Sequence, residues 1–255
     1  MSFIIAVSGK GGVGKTTLAG LLITRLIANQ KRPVLAVDAD PNTCLDEVLG
    51  VSIKSTIGGA REEARELVGK GLSAGVSKQE LLEMKIEQSI VEAQDFDLIA
   101  MGRPEGPGCY CYANNVLKNA LAKLSDQYPY VVLDNEAGLE NLSRRIVRKV
   151  NLLVMVTDPS KRGLETVKRL HQLAKEMGVQ YDRLVIVINR MRVNALSPAA
   201  ESLQKETGAD LVLGLPEDEE LAEFAEQGRS LTDISENNAV VKKINGLIKD
   251  ELAQP

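Results

Sequence analysis

Residues 9–16 read Gly-Lys-Gly-Gly-Val-Gly-Lys-Thr, directly after the apolar run Phe3–Val7 and at the head of a helical pattern over Lys15–Ala28. G-x-x-x-x-G-K-[ST] between a strand and a helix is the pattern of a phosphate-binding loop. Its glycines let consecutive backbone N–H groups curl around phosphate oxygens, and the helix N-terminus adds the positive end of its dipole. The rest of the chain continues the alternation. Further apolar runs fall at Val34–Val37, Asp97–Met101, Tyr130–Leu133, Leu152–Val156, Leu184–Ile188 and Leu211–Leu215, and helical periodicity at Val116–Leu124, Gly163–Met177 and Asn238–Leu252. Nearly unbroken apolar strands suit a sheet covered on both faces. The predicted fold is therefore α/β, a mainly parallel twisted sheet of about seven to eight strands with helices on both faces, of the P-loop NTPase type.

The 255 residues suit a single domain, 1–255, with no repeat or interdomain linker. Residues 52–94, polar and carrying five glycines, read as a helical insertion or mobile cover. With 31 Lys+Arg against 35 Asp+Glu the net charge is −4, which argues against a general nucleic-acid binder. No apolar run approaches the roughly 18 residues of a membrane helix. The opening MSFIIAVSGK has no basic stretch before its apolar run and reads as a first strand rather than a signal peptide. Three cysteines are too few for a disulfide framework, so the expected compartment is the reducing cytoplasm.

Within the loop, Lys15 is placed to reach the β- and γ-phosphates and the Thr16 hydroxyl to ligate Mg²⁺, with Thr17 following. Asp38-Ala39-Asp40-Pro41 closes the second strand; beside a triphosphate, one such carboxylate orders the Mg²⁺ shell and the other orients the attacking water. Asp134 ends the strand Tyr130–Leu133 where a second Mg²⁺-shell carboxylate belongs, and Gly138 after it offers an N–H that can sense the γ-phosphate. Gly9, Gly11 and Gly14 also satisfy the dinucleotide fingerprint G-x-G-x-x-G, with Asp38 on a ribose. That fold calls neither for Lys15-Thr16 after the last glycine nor for the acidic motif at Asp134.

Lys10 within Lys10-Gly11-Gly12-Val13-Gly14-Lys15-Thr16-Thr17 resembles the deviant phosphate loop of a group of dimeric ATPases that includes the nitrogenase iron protein, septum-positioning and partitioning ATPases, and several metallochaperones. The resemblance implies ATP hydrolysis in a homodimer, with Lys10 crossing to the partner's ATP, Asp38 in the Mg²⁺ shell and Asp40 positioning the water. It also implies that Asn189, with Arg190 beside it, holds adenine next to the Pro216 loop.

Gly108-Cys109-Tyr110-Cys111-Tyr112 lies among Gly106, Pro107, Asn114 and Asn115, a composition of exposed loops. In an extended loop, Cys-x-Cys points both sulfurs the same way. Two thiolates begin a metal site but do not close a tetrahedral one. Cys44 lies in another loop, better read as a packed residue than as a transient ligand, and the lone histidine, His171, reads as a helix-surface residue. A two-fold dimer would bring four sulfurs together on its axis. Tetrahedral sulfur fits Zn²⁺ or an iron–sulfur cluster, and Ni²⁺ prefers square-planar sulfur. The pair, together with the Asp-Pro-Asn-Thr-Cys segment holding Cys44 and the switch from Asp134, resembles CooC-type accessory ATPases. That resemblance implies nickel as the delivered ion, with zinc able to occupy the same site, and carbon monoxide dehydrogenase or acetyl-CoA synthase as client.

Two other classes compete. An iron–sulfur electron carrier needs a cysteine after the switch, where this chain has Leu139-Glu140-Asn141-Leu142. A positioning ATPase binding membranes needs a basic amphipathic tail. Here Lys242, Lys243 and Lys249 are offset by Asp250 and Glu251, so the tail reads as a core-packed helix. Arg144, Arg145, Arg148 and Lys149 form a basic cluster that is either a solvated helix face or a dock for an acidic partner. The leading expectation includes neither a nucleic-acid nor a membrane partner.

Overall fold

The structure, a computed structural model, describes residues 2–71, 75–103, 110–139, 149–193 and 195–252. Its strands are β1 (Phe3–Gly9), β2 (Val34–Ala39), β3 (Val91–Glu92), β4 (Phe96–Ala100), β5 (Tyr130–Asn135), β6 (Val150–Thr157), β7 (Tyr181–Met191) and β8 (Leu211–Pro216). They form one sheet in the order β3-β4-β2-β5-β1-β6-β7-β8. Every neighbouring pair is parallel except β3 with β4. The seven predicted strands are present. β3 was missed because two residues carry no periodicity, and β7 runs further at both ends than its apolar centre suggests.

The described helices are α1 (Lys15–Ala28), α2 (Leu45–Leu49), α3 (Ile57–Gly69), α4 (Lys78–Glu87), α5 (Tyr110–Leu124), α6 (Lys161–Glu176), α7 (Pro198–Thr207), α8 (Glu219–Gln227) and α9 (Ala239–Leu252). Strand side chains alternate between two cores. Val7, Ala36, Val132 and Val154 face α1, α2, α8 and α9, whereas Ala6, Val37, Leu133 and Met155 face α3 to α7. Local chemistry sets the helix starts: Ser77 and Glu80 form a reciprocal capping box on α4, and Thr56, Ser160, Ser197 and Asp218 each cap the helix that follows.

Residues 52–94 form α3, α4 and the edge strand β3. Ile57 is fully buried in the core, and the Gly58 N–H donates to the Met101 carbonyl at 2.9 Å, so the start of α3 is tied to the sheet. The tail forms α9, burying Val240, Val241, Ile244, Leu247 and Ile248 as expected of a core-packed helix. His171 corrects the surface reading: it is 4% exposed, with Nε2 3.0 Å from the Tyr181 hydroxyl on the adjacent strand. Among the described residues no helix is long and apolar enough to cross a membrane.

Candidate functional site

β1 is flanked by β5 and β6, and the chain leaves β1 toward β2 on one side and reaches β6 on the other. Open α/β sheets bind ligands at such a switch point, outside the carboxyl ends of the strands. The loop from Gly9 to Thr16 occupies that place. Gly14 adopts φ +91, a left-handed conformation that ends the loop and starts α1, and a Cβ there would lie 2.5 Å from the Asn189 Nδ2. Lys15 is largely buried, with Nζ 3.4 Å from the Lys10 carbonyl, so its ammonium is folded back over the loop.

Asp38 and Asp134 are register partners at the ends of β2 and β5. Both are buried, Asp134 at 1% exposure. Burial pushes the Asp134 carboxyl up to about 7 against the Thr16 hydroxyl hydrogen bond; the charge of Asp38 adds to the rise and Lys15 opposes it. Burial likewise pushes Asp38 up to about 6, against backbone N–H groups of Leu45, Asp40 and Cys44 that donate at 3.0, 3.0 and 2.9 Å. Those donors leave Asp38 Oδ1 with a single bond, and Asp134 Oδ1 is buried without a hydrogen-bond partner among the described residues. A buried carboxylate oxygen with no donor, beside a second carboxylate and a threonine hydroxyl, is a donor set that fits a hard divalent cation. Asp40 stands at the rim, its Oδ1 accepting from the Asn42 backbone N–H and Nδ2 at 2.9 and 3.0 Å.

The switch and the loop are stitched together. Gly138 N–H donates to the Gly9 carbonyl at 3.0 Å, and Asn135 Nδ2 donates to the Val7 carbonyl at 3.0 Å. Asn135 was not assigned a role from sequence, although the switch motif contains it. Asp158 was missed too: burial would raise its carboxyl, but the Ser160 hydroxyl and backbone N–H and the nearby Lys10 charge hold it below its ordinary range. No motif marks Asp158.

A cavity of about 300 Å³ opens between α1, the end of β7 and the turn after β8, with Gly14, Thr17, Asn189, Arg190, Pro216 and Asp218 in its wall. The Asn189 amide spends one N–H on the Val13 carbonyl at 2.9 Å and its oxygen on the Arg190 N–H at 3.0 Å. One N–H and one lone pair remain, the complement of the N6/N7 edge of adenine. Arg190 itself adopts φ +59 and reaches the Gly12 carbonyl at 3.2 Å, which links this cavity to the phosphate loop.

The cysteines are less assembled. Cys109 lies outside the described residues, as do Gly106, Pro107, Gly108, Arg144, Arg145, Arg148 and Glu140–Leu142. Cys111 corrects the extended-loop reading, because its backbone is in the first turn of α5, six residues earlier than periodicity placed that helix. The two asparagines hid the helix start. Cys44 is exposed instead of packed, and burial together with the charges of Asp38 and Asp40 pushes its thiol up. That environment disfavours a thiolate. Among the described residues no group of three His, Cys, Asp or Glu could hold a metal.

The raised carboxyls carry a stability consequence. Between about pH 4 and about pH 7 the folded chain holds protons that the unfolded chain has released, so stability falls as pH rises through that window. Each unit of rise is worth about 1.4 kcal/mol. His171, pushed down by burial beside Lys175, works in the opposite sense at the acid end. Urea unfolding without nucleotide or Mg²⁺ should therefore show an Asp134→Asn variant gaining most at about pH 8 and least at about pH 5.5. An equal effect at both pH values would contradict the raised carboxyl.

The CobQ/CobB/MinD/ParA nucleotide binding domain family matches residues 4–231. An uncharacterised ATP-binding protein of Methanocaldococcus jannaschii is 43% identical over 242 residues, 94% of this chain and 95% of that one. The carbon monoxide dehydrogenase accessory protein CooC of Rhodospirillum rubrum is 33% identical over 188 residues, 69% of this chain and 70% of its own length. Among solved structures, the septum site-determining protein MinD of Pyrococcus horikoshii, complexed with Mg-ADP, shares the fold with a TM-score of 0.66 at 24% identity, over 100% of this chain and 98% of that one.

Proposed function

The chain belongs to the CobQ/CobB/MinD/ParA family of P-loop ATPases, and from that premise we propose that it is an ATP-hydrolysing metallochaperone. In this reading it holds Ni²⁺, or Zn²⁺ at the same place, through Cys109 and Cys111 at a homodimer interface. Hydrolysis drives insertion of nickel into carbon monoxide dehydrogenase or acetyl-CoA synthase. The observation that carries the reading is where the cysteine segment is rooted. Met101 N–H, at the end of β4, donates to the Asp38 carbonyl at 2.8 Å. The chain then reaches Cys111 ten residues later at the start of α5. The cysteine-bearing segment thus leaves the sheet at the nucleotide-facing end, hydrogen-bonded to the backbone of Asp38, a residue of the phosphate site. Likeness to CooC adds support.

In this scheme the loop from Gly9 to Thr17 cradles the phosphates and Lys15 neutralises the β- and γ-oxygens. Lys10 of one protomer reaches the partner's ATP. Thr16, Asp38 and Asp134 hold the Mg²⁺ shell, and the ion when bound withdraws charge from the transferring phosphoryl group. Asp40 orients the water whose oxygen bonds to the γ-phosphorus as the bond to the β,γ-bridging oxygen breaks. Gly138 reports the lost γ-phosphate to the switch, and Asn189, Arg190 and the Pro216 loop hold the base.

A positioning or partitioning ATPase is the competing reading, favoured by the full-length likeness to MinD. Against a membrane-binding version, the apolar face of α9 is spent on the core. The test is reactivation of nickel-free carbon monoxide dehydrogenase and acetyl-CoA synthase by the nickel-loaded chain. ATP should give activation of one client that ADP and a Cys111→Ser variant do not. No activation of either client, together with ATP-dependent co-sedimentation with liposomes or DNA, would replace the metallochaperone with the positioning ATPase.

A further inference from the structure

We propose that Arg103 is a positioning residue for ATP hydrolysis that aims Asp40 through Asn42 and thereby ties the water-orienting carboxylate to the root of the cysteine segment. The geometry starts from Asn42, whose backbone N–H and side-chain Nδ2 both donate to Asp40 Oδ1, at 2.9 and 3.0 Å. An asparagine amide can turn over, exchanging its oxygen and nitrogen. Arg103 reinforces the orientation that the acceptor-only Asp40 carboxylate already favours. Its guanidinium donates to Asn42 Oδ1 and has no acceptor of its own, so the amide must present its oxygen to Arg103 and its nitrogen to Asp40. Asp40 Oδ1 is thereby fixed by two donors. Its Oδ2 takes no hydrogen bond among the described residues, which leaves it for the attacking water.

Arg103 is itself well anchored by the backbone before it. Gly102 adopts φ +64 and is packed so tightly on Thr56 that a Cβ would meet the Thr56 Oγ1 at 2.2 Å. Thr56 caps α3 by accepting from the Gly59 N–H at 3.1 Å. Met101, one residue earlier, donates to the Asp38 carbonyl. The turn that presents Arg103 is therefore held by α3 on one side and by β2 on the other. In the sequence, Cys109 and Cys111 follow this turn. A shift of the cysteine segment that pulls Arg103 off Asn42 frees the amide and unaims Asp40, and a shift of the Asp40 loop on nucleotide binding acts on the segment in return. Coupling of this kind is reciprocal.

The coupling half of the inference rests on the metallochaperone reading; the positioning half rests only on ATP hydrolysis. Both are tested with Arg103→Ala and Arg103→Lys. Arg103 is exposed and its loss should leave the melting temperature unchanged. Steady-state hydrolysis should show kcat falling on the order of tenfold in Arg103→Ala with KM for ATP moved less than about twofold, because orientation and not binding is lost. Arg103→Lys keeps a donor-only group facing Asn42 and should recover most of kcat. Wild-type kcat in Arg103→Ala, or a loss that lysine does not rescue, would overturn the positioning role. Nickel affinity is then measured with ADP and with a non-hydrolysable ATP analogue. The wild type should differ several-fold between the two nucleotides, and Arg103→Ala should bring them together. A wild type with no difference refutes the metallochaperone reading and leaves the kcat test standing. A difference retained in Arg103→Ala overturns the coupling alone.

Discussion

Replacing Lys15 with alanine is expected to remove ATP hydrolysis, with kcat/KM falling by on the order of a thousandfold or more, as loss of a cation on the transferring phosphoryl group does elsewhere. The reason is electrostatic and specific to place. Lys15 is 8% exposed and its ammonium lies against the Lys10 carbonyl inside the loop, so its charge acts where water is largely excluded. No mobile surface lysine can substitute. Lys10, in contrast, is exposed at the mouth of the loop. In the proposed function its charge serves the partner's nucleotide, so Lys10→Ala should keep nucleotide binding in the monomer and lose turnover. Phosphate release and calorimetric nucleotide binding on both variants separate the two roles. Turnover by Lys15→Ala within tenfold of wild type would contradict the assignment.

The second large effect concerns stability and separates glycines that the motif treats alike. At Gly9 a Cβ would stand 2.3 Å from the Val156 carbonyl oxygen and 3.2 Å from its carbon. Gly9 and Val156 are register partners at the carboxyl ends of β1 and β6, so the clash is with the backbone of the neighbouring strand, which cannot swing away as a side chain can. The φ of +156 adds strain for any residue with a Cβ. Gly9→Ala should cost about 4 kcal/mol or more, the range reserved for forced backbone displacement. Gly12 also has positive φ, +79, but nothing lies within 4 Å of its added Cβ. Gly12→Ala should cost only the conformational penalty, about 1–2 kcal/mol. Urea unfolding of both variants checks the contrast, and equal destabilisation would contradict it.

What was legible in the sequence was whatever repeats along the chain or matches a spaced motif. The Gly9–Thr16 loop, Asp38, Asp134 and the strands leading to them are of this kind, because buried parallel strands advertise themselves as apolar runs. Helix α1 was placed at its observed bounds, since the motif marks its start and a continuous apolar stripe its length. Features made by contact between distant segments were not legible. Asp158 beside Lys10 and Arg103 on Asn42 each depend on strand order, which no local pattern encodes. The start of α5 was hidden for a different reason. Asn114 and Asn115 have low helix propensity, and packing of Val116, Leu117, Ala120 and Leu121 overrides it. Cys44 was misjudged because free cysteine is usually buried. Here the backbone N–H of Cys44 is held by Asp38 at the loop surface, which carries its thiol outward.

In the proposed function, ATP turnover in this fold serves a metal held by thiolates from two protomers. The most direct test is bound nickel and zinc per chain, measured together with solution mass, for the wild type, Cys109→Ser and Cys111→Ser. One metal per two chains, lost with either substitution while nucleotide binding persists, is the predicted result. A chain that dimerises with ATP alone and binds no metal through these cysteines would contradict it.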